Sequence, residues 1–445
     1  MKNCDCINCK DNHKFEMPSE ILDDFVSGRV TIFAGAGIST ESRTLLPETF
    51  YDVVAQELNI ENCQLFFPEL MEKYCSKING RITLLSKIRD RFKYIESFSY
   101  LKHQATKFHQ ELATLFMAKT IITTNWDMYF EEICNATPFV SDEDLVFWEN
   151  EDRRVLKIHG SINNYGSIVA TTSDYAKCQE RLYNNLIGGI LKTLFATQTI
   201  IFIGYSLNDS DFQNIWGFVS KQMEGLQRQA FVVTPFENEQ EQFKNIGLIP
   251  IITDGSFFIS QIKQHFISTG SMLSDDIYFR AEEMLSTLKK VHAGTIELYD
   301  CSDHPQTIIN ACYQDGMINA LNRAINLRGS GEYSNFFIYR GVIESFLKFK
   351  KEKLKAKRYD NVAYIEGYLA GFYSLLPINE NEQKIEPPPL FFAFGAGDLY
   401  TIDDYDSIIN DLPNLHKASY LFTKKMVKKL SSSNEICFHH PPWFS

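Results

Sequence analysis

Val30-Thr31-Ile32-Phe33-Ala34-Gly35-Ala36-Gly37-Ile38-Ser39 is the stretch whose reading decides the fold. A β-branched, apolar run enters two glycines separated by one residue and leaves through a serine. Strands buried on both faces have this continuous apolar character. Without a Cβ at Gly35 and Gly37 the backbone can come close to a second group. That group could be a phosphate presented to main-chain amides; equally, the glycines could simply form a tight turn. The stretch alone leaves both readings open.

The 445-residue chain is long enough for two or three domains. Hydrophobic residues make up 44% and charged residues 22%, the ordinary composition of a chain with a packed core. The net charge of −12 speaks against a general nucleic-acid binder, leaving nucleic-acid contact only as an indirect property. The sequence shows no apolar run of membrane-spanning length and opens on a polar N-terminus, so a cytoplasmic protein without membrane contact is expected. Ten scattered cysteines suit reduced thiols. Cys4, Cys6, Cys9 and His13 cluster, but the spacing is tighter than a zinc finger's. Residues 1–18 are therefore read as a cysteine-rich leader, and no metal ligands are assigned.

From the opening strand onwards, helices alternate with short apolar strands. Residues 41–110 read as a helical insertion. Strands follow at 120–124, 155–158, 199–203, 230–234 and 249–252, with helices expected near 106–118, 181–196, 210–223, 237–245 and 256–267. This alternation predicts an α/β fold: a Rossmann-like parallel sheet with a helical insertion, over residues 19–270. Ser268-Thr269-Gly270-Ser271 reads as a linker, and 275–445 as a mainly helical domain with helices near 276–292, 305–328, 332–357 and 360–375.

Ligands of parallel sheets bind at the carboxyl ends of the strands. Here those ends deliver Gly35, Ala36, Gly37 and Ser39, then Thr124-Asn125-Trp126-Asp127, then His159-Gly160, then Gly204-Tyr205-Ser206. The set resembles the sirtuin family, in its bacterial sirtuin-like branch. Gly-Ala-Gly-Ile-Ser is matched at 35–39, and the Asn-x-Asp, His-Gly and Gly-Tyr-Ser elements follow in order. A dehydrogenase fingerprint would need a third glycine where Thr40 stands. The two Cys-x-x-Cys pairs of the family's protein deacylases are missing, since only Cys178 lies between His159 and Gly204.

The resemblance implies a substrate, NAD+, and a catalytic pair, Asn125 and His159. It implies cofactor-site roles for Gly35, Ala36, Gly37, Ser39, Asp127, Gly204 and Ser206. Sirtuin-like proteins without the zinc module are typically NAD-cleaving effectors of anti-phage defence. The expectation is an NAD+ glycohydrolase releasing nicotinamide and ADP-ribose, with an NAD-dependent deacylase or a non-catalytic NAD or ADP-ribose sensor as alternatives. The same resemblance implies a homo-oligomer and a separate partner such as a HerA-like ATPase. Asn125 could instead cap the helix near Asp127, as Asp209 and Asp211 could cap the one after Ser206. Three features outside the pattern carry no assigned chemistry: the basic run from Lys348 to Arg358, Phe394-Gly395-Ala396-Gly397-Asp398, and His439-His440-Pro441-Pro442-Trp443.

Overall fold

A computed structural model describes residues 11–42, 45–60, 64–205, 216–217, 220–221, 228–376, 403, 406–407, 414–430 and 439–440. The chain divides into two compact units, Met1–Thr269 with Gly329–Gly331, and Gly270–Arg328 with Glu332–Ser445. Cys4, Cys6, Cys9, Ser206, Asp209, Asp211 and the 394–398 motif lie outside the described residues.

The first unit is built on a seven-stranded sheet of order β3-β4-β2-β1-β5-β6-β7, every pair parallel. The strands are β1 (Val30–Ala34), β2 (Thr120–Thr123), β3 (Thr137–Phe139), β4 (Arg154–Lys157), β5 (Thr199–Ile203), β6 (Ala230–Thr234) and β7 (Ile249–Ile252). Every residue of β1, β2, β5 and β6 is buried, which is why these segments read as runs of apolar residues and threonine without charged residues. β1 lies at the centre, where the chain reverses its direction of travel across the sheet between β1 and β5. Such a switch point opens a crevice at the carboxyl ends of the strands.

Helix α1 (Ser19–Val26) ends before Gly28, whose φ of 65° lies in the left-handed region that favours glycine. Among the described residues between β1 and β2 are the α-helices α2 (Phe50–Glu57), α3 (Phe67–Cys75), α4 (Gly80–Ser97) and α5 (Ser99–Ala113). Thr49 and Asp52 form a reciprocal capping box that starts α2. Phe50, Val54, Leu70, Met71, Leu84 and Ile88 make a core of their own with Ile168 and Ala170, so the insertion packs onto the loop after β4. Helix α6 (Tyr129–Cys134) follows β2.

Two details differ from the sequence reading. β3 was not expected: Thr137-Pro138-Phe139 is a three-residue edge strand, a place where a proline without an N–H is tolerated. The helix expected at 181–196 is two helices, α7 (Thr172–Asn184) and α8 (Leu186–Thr197), parted by Asn185 in an extended conformation. Helices α9 (Gln240–Asn245) and α10 (Gly255–Ser268) complete the unit as far as it is described.

The second unit contains α11 (Asp276–Leu298), α12 (Thr307–Asn326), α13 (Phe336–Lys355), α14 (Tyr359–Leu375) and α15 (Asn414–Leu430). Helix α14 is nearly all buried and sits against α12, where Gly316 and Gly367 allow the backbones to meet. A Cβ on Gly316 would stand 1.9 Å from the Tyr364 carbonyl oxygen, and one on Gly367 1.8 Å from that of Tyr313. Part of the basic run from Lys348 to Arg358 is paired. Lys350 pairs with the buried Glu366 at 2.8 Å and Arg358 with Asp360 at 2.9 Å, whereas Lys348, Lys351 and Lys355 are exposed. None of the described helices is long and apolar enough to cross a membrane.

Candidate active site

The loops after β1, β2 and β4 enclose a cavity of about 320 Å³ together with the helical insertion. Ala36, Thr40 and Glu41 come from the first loop, Thr124 to Asp127 from the second and His159 from the third. Phe50, Tyr51, Phe67, Ile88, Arg91 and Phe92 close it from the insertion, and Tyr175 from α7. The volume lies at the lower end of the range for small-ligand sites.

Asn125 is held from one side only. Its Nδ2 donates to the Gly35 carbonyl at 3.2 Å and to Ser39 Oγ at 3.1 Å, and its backbone N–H donates to Thr123 Oγ1 at 3.0 Å. Its Oδ1 is buried and has no partner within the protein. A buried acceptor left unpaired costs about 1–3 kcal/mol, so such an atom marks a place where a ligand or water supplies the donor. Trp126 Nε1, next along the same wall, is likewise a buried donor without a partner. The cavity wall therefore offers one free acceptor and one free donor on adjacent residues.

Asp127 is tied down at both oxygens: Oδ2 accepts from Ser39 Oγ at 2.9 Å and Oδ1 from the Tyr129 backbone N–H at 3.2 Å. The Asp127 carboxylate, not Asn125, thus accepts the first backbone N–H of α6, which leaves the Asn125 side chain to the cavity. Behind it the buried pair Lys157–Glu131, at 2.9 Å, anchors the loop, with Lys157 Nζ also donating to the Asp127 carbonyl. Burial pushes the Glu131 carboxyl above its ordinary value despite the nearby lysine charge.

His159 is 5% exposed, and its ring stands edge-on to Tyr175 at 5.0 Å between centroids. Gly160 beside it has φ 84°, and a Cβ there would fall 2.1 Å from the Ser167 carbonyl oxygen, so the turn that presents His159 requires glycine. Cys178 lies behind the ring. Burial raises its thiol, but the hydrogen bond and charge of His159, with Arg181, bring it net below the usual value.

The glycines of the opening stretch sit behind this wall. Gly35 N–H donates to Ile203 O at 2.9 Å, Gly37 N–H to Gly204 O at 3.1 Å and Ser39 N–H to Ala36 O at 3.0 Å. A Cβ on Gly35 would meet Gly204 O at 2.6 Å, and one on Gly37 would meet the same atom at 2.8 Å. The close approach these glycines permit is therefore that of the loop after β5, whose own Gly204 has φ 78°. Of the residues read from sequence, Ala36, Asn125, Asp127 and His159 reach the cavity. Gly35, Gly37, Ser39 and Gly204 stand as its support, and Ser206 lies outside the described residues.

Sequence reasoning missed Glu41 and Arg91. Arg91 Nε donates to Glu41 Oε1 at 3.0 Å, and its Nη2 donates to the Glu48 carbonyl at 3.1 Å, while Glu41 Oε2 accepts from the Phe50 N–H at 2.9 Å. Burial raises the Glu41 carboxyl more than the adjacent Arg91 charge lowers it. This clamp joins the first loop to the insertion across 50 residues, and no local motif announces it.

A SIR2-like domain model matches residues 119–251, from the start of β2 to β7. The stretch from β2 to β7 is thus SIR2-like. Among its relatives, defense-associated sirtuin 2 of Bacillus subtilis is 25% identical over 285 residues, covering 60% of this chain and 27% of that protein. The NAD(+) hydrolase ThsA of Cytobacillus dafuensis is 27% identical over 202 residues, 44% of this chain and 39% of its own. ThsA of Enterococcus faecium is 27% identical over 201 residues, 42% of this chain and 39% of its own. The chain thus spans between 27% and 39% of the length of these relatives. The match covers the strands whose ends carry Asn125, His159 and Gly204 in the SIR2-like domain.

Proposed function

We propose that the chain is an NAD+ glycohydrolase, cleaving the nicotinamide–ribose bond to release nicotinamide and ADP-ribose. The observation that carries this reading is the free Oδ1 of Asn125 in the same cavity as His159. Nicotinamide leaves as a neutral molecule from a pyridinium, so no strong acid is needed to protonate it. The sugar passes through an oxocarbenium-like state, which calls for a positioned water and a proton acceptor. Asn125 Oδ1 is an acceptor for that water or a ribose hydroxyl, and His159 is the proton acceptor. Asp127, fixed by Ser39 and Tyr129, and Ala36 contact the dinucleotide, while Gly35, Gly37, Ser39 and Gly204 hold those contacts in place; Ser206 belongs to the same proposal.

The relatives' names place NAD+ hydrolysis and defence among similar proteins. On that basis the activity serves as an NAD-depleting, abortive response to phage in the cytoplasm. The helical unit is then the part that self-associates and receives a partner such as a HerA-like ATPase, and Phe337 and Leu298, each 74% exposed, are apolar side chains available for it.

The test is nicotinamide release by the full chain and by Asn125→Ala and His159→Ala, with NAD+ binding measured by calorimetry in parallel. Each substitution is expected to lower the hydrolysis rate by about 10²- to 10⁴-fold while the protein stays folded. Parental rates in both variants would remove the site assignment. Binding of NAD+ without cleavage by the parent would make the SIR2-like unit a sensor.

A further inference from the structure

We propose that His292, Asp315 and His439, in the helical unit, bind one divalent transition-metal ion, zinc being the ion their donor set suits. His292 comes from α11, Asp315 from α12, and His439 from the His-His-Pro-Pro-Trp segment to which the sequence alone attached no chemistry. His292 Nε2 lies 3.3 Å from Asp315 Oδ1 and 3.3 Å from His439 Nδ1, and His439 Nδ1 lies 3.3 Å from Asp315 Oδ1. The three donor atoms form an equilateral triangle. A tetrahedral ion with ligands at about 2.05 Å places neighbouring donors about 3.3 Å apart, so the triangle has the edge length of one face of a zinc tetrahedron. Two imidazoles and a carboxylate are a donor set for zinc and its first-row neighbours, not for the harder magnesium or calcium.

The surroundings match a metal site as well as the triangle does. His292 Nδ1 faces Gln314 Oε1 at 2.8 Å, and Gln314 Nε2 donates in turn to Thr295 Oγ1 at 3.2 Å. The glutamine therefore presents its oxygen to the ring, accepts a hydrogen bond from Nδ1–H and leaves the Nε2 lone pair for the ion. Asp315 Oδ2 accepts the His440 backbone N–H at 2.8 Å, which leaves Oδ1 as the coordinating oxygen. The His440 ring stacks on Tyr364 at 4.2 Å and fixes the segment from which His439 projects. His292 and Asp315 are buried, whereas the His439 side chain is 51% exposed, so the cluster reaches solvent on the His439 side. Such an ion clamps the segment at 439–440 to α11 and α12.

The experiment uses the full chain with Cys4, Cys6 and Cys9 replaced by serine, which removes the other clustered donors. The protein is stripped with a chelator and titrated with Zn²⁺ in competition with a chromophoric chelator, and metal content is measured after gel filtration. The expected result is one equivalent of zinc, with affinity reduced at least about 100-fold in His439→Ala and Asp315→Asn and about 10- to 100-fold in Gln314→Leu. His439 is exposed enough that His439→Ala keeps the metal-free melting temperature of the parent while losing the zinc-induced rise. Less than one equivalent at micromolar zinc, or parental affinity in both ligand variants, overturns the proposal and leaves a His–Asp–His hydrogen-bonded cluster. The readout is independent of NAD+ hydrolysis.

Discussion

Asn125 and His109 show opposite uses of burial. Asn125 keeps an unpaired oxygen at the cavity wall, where a ligand can satisfy it. His109 is fully buried on α5 among Phe108, Tyr129 and Phe130, and neither of its ring nitrogens has a partner. Burial depresses its pKa from an ordinary 6.5 to about 4, the attraction of Asp127 opposing and Lys157 adding. The folded protein therefore binds fewer protons than the unfolded chain between these values. The contribution is harmless above about pH 6.5 and is lost as the pH falls towards 4, at about 1.4 kcal/mol per pH unit. Between pH 7 and pH 5 the parent is expected to lose about 2 kcal/mol more stability than His109→Leu, measured by urea unfolding. Equal losses in the two proteins would mean that His109 is protonated without cost in the folded state.

At the scale of elements, the carboxyl ends of β1 and β5 are tied together by three glycines. Gly204→Ala would put a Cβ 2.7 Å from Ile38 Cγ2 and 2.8 Å from its backbone nitrogen, at a φ of 78° that L-residues rarely adopt. A loss of about 2 kcal/mol or more in stability is expected, with a fall in hydrolysis because Gly35 also positions Asn125. Gly189→Ala in α8, where a Cβ meets nothing within 4 Å, is the control and should be neutral or slightly stabilising. These elements also show what the sequence made legible. The central strands were readable because burial on both faces leaves mostly apolar and β-branched residues, threonine included. β3 was not, since a three-residue edge strand with a proline carries no period, and the break at Asn185 is a single residue inside an otherwise helical pattern. Asn125, Asp127 and His159 were visible because strand ends are where such residues gather. The Arg91–Glu41 clamp was invisible because its partners are 50 residues apart on elements whose packing no motif encodes.

At the scale of the whole molecule, each unit has its own apolar core, one around Phe33, Phe202 and Ile200, the other around Tyr278, Tyr364 and Phe372. The division of labour proposed for them is chemistry in the SIR2-like unit and association or control in the helical unit. The central claim is that water, not an acylated peptide, accepts the ADP-ribosyl group. The most direct measurement is a time course of NAD+ loss by the full chain, with nicotinamide and ADP-ribose quantified, with and without an acetyl-lysine peptide. Equal amounts of nicotinamide and ADP-ribose, formed at a rate the peptide does not change, are the predicted result. NAD+ loss that requires the peptide and yields acetylated ADP-ribose would contradict it.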